Sequence, residues 1–215
     1  MQSNVADIAL VMKELKLGGD AERAIAPVNS LIERAQSGDA AAFDQLMITY
    51  QHRVVAVAFR LLGNRDDARD AAQETFLRVY KHLAKFDLKQ DFSAWLYRIA
   101  INVCRDVARK RVTHFRTASI EDEIQSGNLN ELLSTDNTEA AAIQAQQQKI
   151  ILRALDTLSE KERRALVLRD LEGLSTEEVA RILGSSQTTV RSQISTARAK
   201  IKAFRDRLLS KGGKK

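Results

Sequence analysis

Side chains able to carry out chemistry are scattered along this sequence rather than gathered into a reactive set. The three histidines, His52, His82 and His114, and the single cysteine, Cys104, include no pair spaced i, i+3 or i, i+4, the spacing that brings two metal ligands together on a helix. No glycine-rich phosphate loop, nucleophile elbow or zinc-protease motif occurs. We therefore expect no metal, no cofactor and no enzymatic activity.

Positive charge is the second informative feature, and it is unevenly distributed. The net charge of +6 is the sum of −1 over residues 1–28, +4 over residues 29–115, −5 over residues 116–140 and +8 over residues 141–215, so two basic segments flank an acidic one. Two basic segments indicate a polyanionic partner, most often nucleic acid. A basic surface that is merely solvated is the alternative that charge alone leaves open.

The composition favours helices over strands. One proline and nine glycines are too few for the many turns of an all-β fold, and the low aromatic content of 5% also disfavours one. Apolar residues recur at helical spacing in two separate blocks. We therefore expect an all-α fold of two small helical domains joined by a flexible acidic linker. The expected segments are a poorly ordered extension (1–28), a first domain (29–112), the linker (113–140), a second domain (141–209) and a basic tail (210–215).

Three capping boxes predict helix starts, because a serine can cap a helix while a glutamate three residues later reaches back to it. They are Ser30–Glu33, Ser159–Glu162 and Ser175–Glu178.

No membrane span or targeting signal is expected. The most apolar run, residues 54–59, is far shorter than the roughly 20 residues of a spanning helix. The first residues also lack a basic stretch followed by an apolar one. With one cysteine there is no internal disulfide framework, so we expect a cytoplasmic protein.

Residues 176–203 carry the pattern of a helix-turn-helix. Ala180, Gly184 and Val190 stand where that motif needs a small residue, a reversing glycine and an apolar anchor. The outward face of the second helix presents hydroxyl groups and cations suited to base edges and phosphates. Those residues are Thr188, Arg191, Ser192, Ser195, Arg198 and Lys202. A plain helical hairpin with a solvated face is the alternative.

A second nucleic-acid surface is predicted on a helix between Ser93 and Arg111. An apolar stripe formed by Leu96, Ala100, Val103 and Val107 lies opposite a polar stripe formed by Arg98, Asn102, Arg105 and Arg109. Such a polar stripe can track one phosphate strand while its amide hydrogen-bonds a base. The neighbouring aromatic residues either stack on unpaired bases or belong to the apolar core. They are Phe86, Trp95 and Tyr97.

The preceding predicted helix is acidic on one side. Asp66, Asp70, Gln73 and Glu74 fall roughly together on it. Because a negative face repels DNA, it points toward a protein with a basic contact surface. A solvated face is again the alternative.

Three motifs, in this order, resemble the extracytoplasmic-function (ECF) type of bacterial sigma factor. Residues 67–76 are similar to the family's polymerase-binding helix, 92–102 to its promoter-melting segment, and 168–175 to the lead-in of its helix-turn-helix. The resemblance implies a subunit that binds core RNA polymerase, recognises the minus-thirty-five and minus-ten elements of promoter DNA and assists strand opening. It also implies control by an anti-sigma factor, and we expect the free protein to be monomeric.

Site residues follow from the same resemblance. It implies that the clamp helices of the largest polymerase subunit are bound through Asp67, Asp70, Gln73 and Glu74. The implied minus-ten contacts, around a pocket for a flipped base that includes the loop 87–91, are His82, Phe86, Trp95, Arg98, Asn102, Arg105 and Arg109. The second domain would also dock on the polymerase flap. Its implied minus-thirty-five contacts are Thr188, Thr189, Arg191, Ser192, Ser195, Arg198 and Lys202. The sequence departs from the basic or aromatic residues frequent in the family at Gln193, Ser195 and Thr196.

Two other functions stay open at this stage. An ordinary helix-turn-helix repressor or activator would bind duplex DNA alone, although it usually needs a dimerisation or ligand domain for which the sequence offers no candidate. An interaction protein that sequesters a regulator and has lost promoter activity is the other alternative.

Overall fold

The computed structural model describes residues 28–117 and 149–212, which belong to two separate compact units. Both ranges are helical and neither contains a strand, so the predicted all-α, two-domain fold is confirmed. The predicted extension before residue 28, the linker beyond residue 117 and the end of the tail lie outside the described residues. None of the described helices is long and apolar enough to cross a membrane.

The described part of the first unit, residues 28–117, contains four helices. They are α1 (Val28–Gln36), α2 (Ala40–Leu62), α3 (Arg65–His82), which is followed by a 3-10 turn (Leu83–Lys85), and α4 (Phe92–Thr117).

Polar side chains fix the starts of α2 and α3. Asp39 accepts a hydrogen bond from the Ala42 backbone N–H at 3.1 Å, and Asn64 accepts one from Asp67 at 2.9 Å. Each satisfies a donor that the first turn of a helix leaves free. Between the two helices Gly63 adopts a φ of 71°, a left-handed conformation that costs glycine little.

Two predicted helix boundaries differ from the structure. Helix α1 already includes Val28, so Ser30 lies inside it and the predicted capping box at Ser30 is wrong. Helix α4 continues beyond Arg111 to Thr117 and so into the predicted linker. No glycine or proline stands in that stretch to end it.

An apolar core joins the helices of the first unit. Leu31 and Ile32 of α1, Val54 of α2 and Leu96 of α4 are all fully buried in it. Tyr97 is likewise 0% exposed, which confirms the core alternative for this aromatic residue. Because one face of α4 must be inside, the opposite face of the helix is held in contact with solvent.

The second unit combines three short helices with one long helix in its described part. Its helices are α5 (149–156), α6 (Glu160–Leu166), which runs into a π-helical turn (Val167–Leu171), α7 (Thr176–Leu183) and α8 (Gln187–Gly212). The capping boxes predicted at Ser159 and Ser175 are both present. The apolar core contains Leu155, Leu166, Ala197 and Ile201, so α8 packs on α5 and α6.

The helix-turn-helix is formed by α7 and α8. Gly184 ends α7 with a φ of 61°, and the Ser185 backbone N–H donates to the Ala180 carbonyl at 2.9 Å. Val190 is 0% exposed and anchors the second helix. The three positions that predicted the motif therefore have the expected roles: a small residue, a reversing glycine and an apolar anchor.

A partly buried ion pair connects α6 to α8. The Lys200 ammonium donates to both carboxylate oxygens of Glu162, at 3.0 and 2.8 Å, and the Ser159 backbone N–H donates to the same carboxylate at 2.8 Å. The Lys200 contact, aided by Ser159, holds the pKa of Glu162 below its ordinary value of 4.5.

We expect the second unit to lose stability as the pH falls through this lowered pKa, because protonating Glu162 is harder in the folded than in the unfolded chain. The contribution is complete above pH 4.5, the ordinary value, and disappears below the folded pKa. Glu162→Gln should lower stability at neutral pH and flatten this acid limb. A residual slope remains from Glu178, whose pKa Ser175 lowers in the same manner.

Hydrogen exchange in α8 measures this effect, because the only tryptophan and all three tyrosines lie in the first unit and report on that unit alone. Glu177→Gln, which changes an exposed carboxylate in the next capping turn, is the control. An acid limb that is equally steep in wild type and Glu162→Gln would contradict the role of this ion pair.

Candidate nucleic-acid and protein interfaces

The arginine stripe predicted on α4 lies on the solvent side of the helix. Arg98, Arg105 and Arg109 are exposed and Asn102 is half-buried. Within the described residues, Arg98 and Arg105 make no ion pair or side-chain hydrogen bond. The stripe therefore offers two uncommitted guanidinium groups to phosphate oxygens, with an amide between them in the same row.

The aromatic residues beside the stripe are mostly interior. The Phe86 ring, 6% exposed, lies with its centroid 5.5 Å from that of Phe92 and 4.9 Å from that of Trp95. Trp95 is half-buried and is the member of this cluster that still presents surface. Phe86 thus supports Trp95 from the core and offers almost no surface of its own to a ligand.

The loop between the 3-10 turn and α4 is organised by its own aspartates. The Asp87 side chain accepts the Lys89 backbone N–H at 2.9 Å, and the Asp91 side chain accepts that of Ala94 at 2.7 Å. His82, the last residue of α3, is exposed. These contacts give the loop a defined shape next to the arginine stripe.

The acidic residues predicted to bind a protein are divided between paired and unpaired groups. The Asp67 carboxylate lies 3.5 Å from the Arg111 guanidinium. The Glu74 carboxylate lies 2.7 Å from the Arg78 guanidinium, and this contact raises the pKa of Arg78. Asp70 and Gln73 are exposed. The surface available to a partner is therefore centred on Asp70 and Gln73.

The first turns of α8 present the predicted base-reading groups. Thr188, Arg191, Ser192 and Ser195 are all exposed. Thr189 is exposed too, but its hydroxyl lies 2.8 Å from that of Ser186, the residue that caps the helix by accepting the Thr189 backbone N–H. Among the described residues, Arg191 forms a side-chain hydrogen bond to Gln187 alone, at 3.2 Å, so its guanidinium keeps donors for a partner.

Arg198, in contrast, is committed within the unit. Its guanidinium donates to both oxygens of Asp170, at 2.8 and 2.6 Å, and this pairing raises the pKa of Arg198. The Asp170 side chain is only 6% exposed, so its charge depends on this partner. The pair acts as a brace that joins the π-helical turn to the middle of α8, and the predicted DNA contact of Arg198 stays a prediction.

Sequence reasoning could not identify this brace. Asp170 and Arg198 are 28 residues apart, and no local periodicity links them. The one available signal was the position of Asp170 in the motif that leads into the helix-turn-helix.

The positions that depart from the family's usual pattern differ in exposure. Gln193 is half-buried, with its Oε1 atom shielded from solvent, so it faces the interior of the unit. Ser195 and Thr196 are exposed, and Lys202 is half-buried near the middle of α8. Of the departures, Ser195 and Thr196 are the ones that lie on the exposed surface predicted to face DNA.

Metal ligands do not converge within the described ranges, where no group of three or more His, Cys, Asp or Glu side chains could hold an ion. Cys104 of α4 is buried, at 4% exposure.

Family models match both units of the chain. Residues 46–113 match Sigma-70 region 2, and residues 148–201 match Sigma-70 region 4. The first range includes the acidic helix and the arginine stripe, and the second includes the helix-turn-helix. Two such domains in this order define a sigma factor, the class of proteins that gives RNA polymerase its promoter recognition.

Curated relatives narrow the class. The sigma-H factor of Pseudomonas aeruginosa is 37% identical over 174 residues, covering 80% of this chain and 90% of the relative. The ECF sigma-E factor of Escherichia coli K12 is 36% identical over 176 residues, with the same coverage. A solved structure of the sigma factor RpoE with the anti-sigma factor NepR from Bartonella quintana has a TM-score of 0.59 and 26% identity, covering 76% of this chain and 96% of that one.

This chain belongs to the ECF family of bacterial RNA polymerase sigma factors. It is accordingly a promoter-recognising subunit and a transcription initiation factor, not an enzyme; the catalysis belongs to the polymerase.

Arg198→Ala should lower the free energy of unfolding of the second unit by about 1–2 kcal/mol, because it leaves the Asp170 carboxylate shielded and unpaired. The figure is reduced from that of a buried pair because half of the Arg198 side chain is exposed. Asp170→Asn should recover part of the loss in the double variant.

A double-mutant cycle in urea, followed by the helical signal, measures this coupling. Arg207→Ala, which changes an exposed arginine further along α8, should alter stability by no more than about 0.5 kcal/mol. Strictly additive effects of the two substitutions would contradict the brace.

Proposed function

We propose that the first unit performs two tasks with two differently charged surfaces. The acidic surface of α3, centred on Asp70 and Gln73, binds the clamp helices of core RNA polymerase. The arginine stripe of α4 holds one strand of the minus-ten element while the duplex opens. The observation that carries this proposal is the separation of exposed acids on one helix from uncommitted arginines on the next.

The minus-ten contacts are of two kinds in this proposal. Arg98, Arg105 and Arg109 contact phosphates, and Asn102 hydrogen-bonds a base. A flipped base enters a pocket formed by His82, the loop 87–91 and the exposed part of Trp95. Phe86 supports the pocket from the apolar core, as its 6% exposure requires.

The second unit reads the minus-thirty-five element in this proposal and docks on the polymerase flap. The exposed residues of the first turns of α8 face the bases, and Lys202 faces a phosphate. Those base-facing residues are Thr188, Thr189, Arg191, Ser192 and Ser195. Arg198 contributes by holding α8 in place.

We also propose limits for the two domains, the cellular location and oligomeric state of the protein, and the way in which it is controlled. Region 2 occupies residues 29–112, region 4 occupies residues 141–209, and the acidic segment between them tethers the two. The free protein is a cytoplasmic monomer, controlled by an anti-sigma factor that covers its polymerase-binding surfaces. Support for such a partner comes from the similar sigma factor of Bartonella quintana, which was solved with an anti-sigma factor.

Reconstitution with core polymerase tests the function directly. The protein should elute with core polymerase in gel filtration and direct transcription of genomic DNA from defined start sites, which sequencing of the transcript ends identifies. Specific, tight occupancy of duplex DNA by the free protein would instead favour a conventional repressor or activator.

Asp70→Lys should weaken binding to core polymerase by about tenfold or more, because it puts a like charge against a basic partner surface. Asp70 is a cleaner target than Glu74, whose replacement would also release Arg78. Competition for a fluorescent core complex measures the affinity. Glu33→Lys, the same charge change at an exposed position of α1, should have little effect. Unchanged affinity for Asp70→Lys would contradict the acidic interface.

Arg191→Ala should weaken holoenzyme binding to its preferred minus-thirty-five duplex by about 1–3 kcal/mol. If Arg191 reads a base, the loss should be much smaller on duplexes altered at that base pair. Fluorescence anisotropy with both duplexes makes the measurement, and Arg207→Ala is the matched control. An equal loss on every duplex would make Arg191 a phosphate contact.

A further inference from the structure

Gln36, the last residue of α1, connects that helix to the far end of α3. Its side-chain Nε2 donates to the Leu83 carbonyl at 2.9 Å and to the Phe86 carbonyl at 2.8 Å. The two acceptors lie 47 and 50 residues away along the chain. One amide group therefore spans both ends of the 3-10 turn that follows α3.

The chemistry of the two acceptors fixes the direction of these hydrogen bonds and shows what Gln36 supplies to the turn. Carbonyl oxygens only accept, so the glutamine must present its NH₂ group to both of them. The end of a helix leaves carbonyls without intrahelical donors. The Leu83 carbonyl also accepts the Phe86 backbone N–H at 2.9 Å, whereas the side chain of Gln36 supplies the donor that the Phe86 carbonyl needs.

The segment held by Gln36 leads directly into the proposed base pocket. The loop 87–91 begins at the residue after Phe86, and the Phe86 ring packs against Trp95. At the other end of the loop, Asp91 caps the start of α4. Gln36 thus anchors the entrance of the loop, and Asp91 anchors its exit.

We propose that Gln36 is a positioning residue for minus-ten recognition: through the Leu83 and Phe86 carbonyls it holds the loop 87–91 and Trp95 in the arrangement that accepts an unpaired base. This inference rests on the proposed role of that loop. Gln36 is part of α1, outside every motif that predicted a DNA contact, and it acts without touching DNA. If the anchor is lost, the loop visits other arrangements, and the apparent affinity falls with the competent fraction.

Gln36→Leu tests the anchor, because leucine fills a similar volume and cannot donate. Hydrogen exchange followed by mass spectrometry on the free full-length protein should show faster exchange across residues 83–91 and unchanged exchange in α2 and the body of α4. Gln45→Leu is the matched control, since Gln45 is an exposed glutamine of α2 without a side-chain hydrogen bond in the described ranges. It should leave exchange at the loop unchanged.

Binding to single-stranded DNA tests the functional consequence. The probe is the short oligonucleotide that the wild-type holoenzyme selects from a randomised single-stranded pool. Gln36→Leu holoenzyme should bind this probe about fivefold or more weakly and discriminate less at the selected bases, with unchanged affinity for core polymerase. The Gln45→Leu holoenzyme should bind like wild type.

Three outcomes would overturn the inference. Unchanged loop exchange or unchanged oligonucleotide binding in Gln36→Leu would remove its basis while leaving the proposed function intact. Global unfolding of both Gln36→Leu and Gln36→Asn, whose amide is too short to reach both carbonyls, would make Gln36 a stabiliser of the whole unit. Failure of the wild-type holoenzyme to select any strand would overturn the proposed function, and this inference with it.

Discussion

The burial of one face of α4 is the constraint on which the rest of the first unit depends. Leu96 and Ala100 are fully enclosed by the neighbouring helices, so α4 cannot rotate without exposing them to water. With 3.6 residues per turn, this fixes the direction of Arg98 and Arg105. The position of the cationic row is therefore a by-product of apolar packing, and the arginines themselves need contribute nothing to it.

Ion pairs within each unit decide which charged residues remain available to a partner. Asp67, Glu74 and Arg198 all carry charges that a sequence pattern assigns to an interface, yet each has a partner inside its own unit. Asp70 and Arg191 lie on the same faces of α3 and α8 as these paired residues, and they keep most of their hydrogen-bonding capacity for a partner. Proximity in space, and not residue type, separates the two groups, so fewer charged groups are unpaired in the free protein than the motifs alone suggest.

Local rules explain what could be predicted from the sequence. The capping boxes at Ser159 and Ser175 and the turn at Gly184 depend on contacts within a few residues, and all three are present. The box predicted at Ser30 failed because the same local pattern also fits inside a helix that has already begun. The contact between Gln36 and the turn after α3 joins two segments that are far apart in the sequence and that meet only when the whole unit folds. No local pattern encodes it.

The brace between Asp170 and Arg198 also limits how strongly the second unit can hold DNA unaided. A cation already neutralised by a carboxylate displaces no condensed sodium or potassium from a phosphate, so it adds nothing to the entropy gained from released counterions. In the proposed DNA complex, binding by the second unit should therefore be less sensitive to salt, and attachment to a larger assembly would raise its occupancy of a promoter through a high effective concentration.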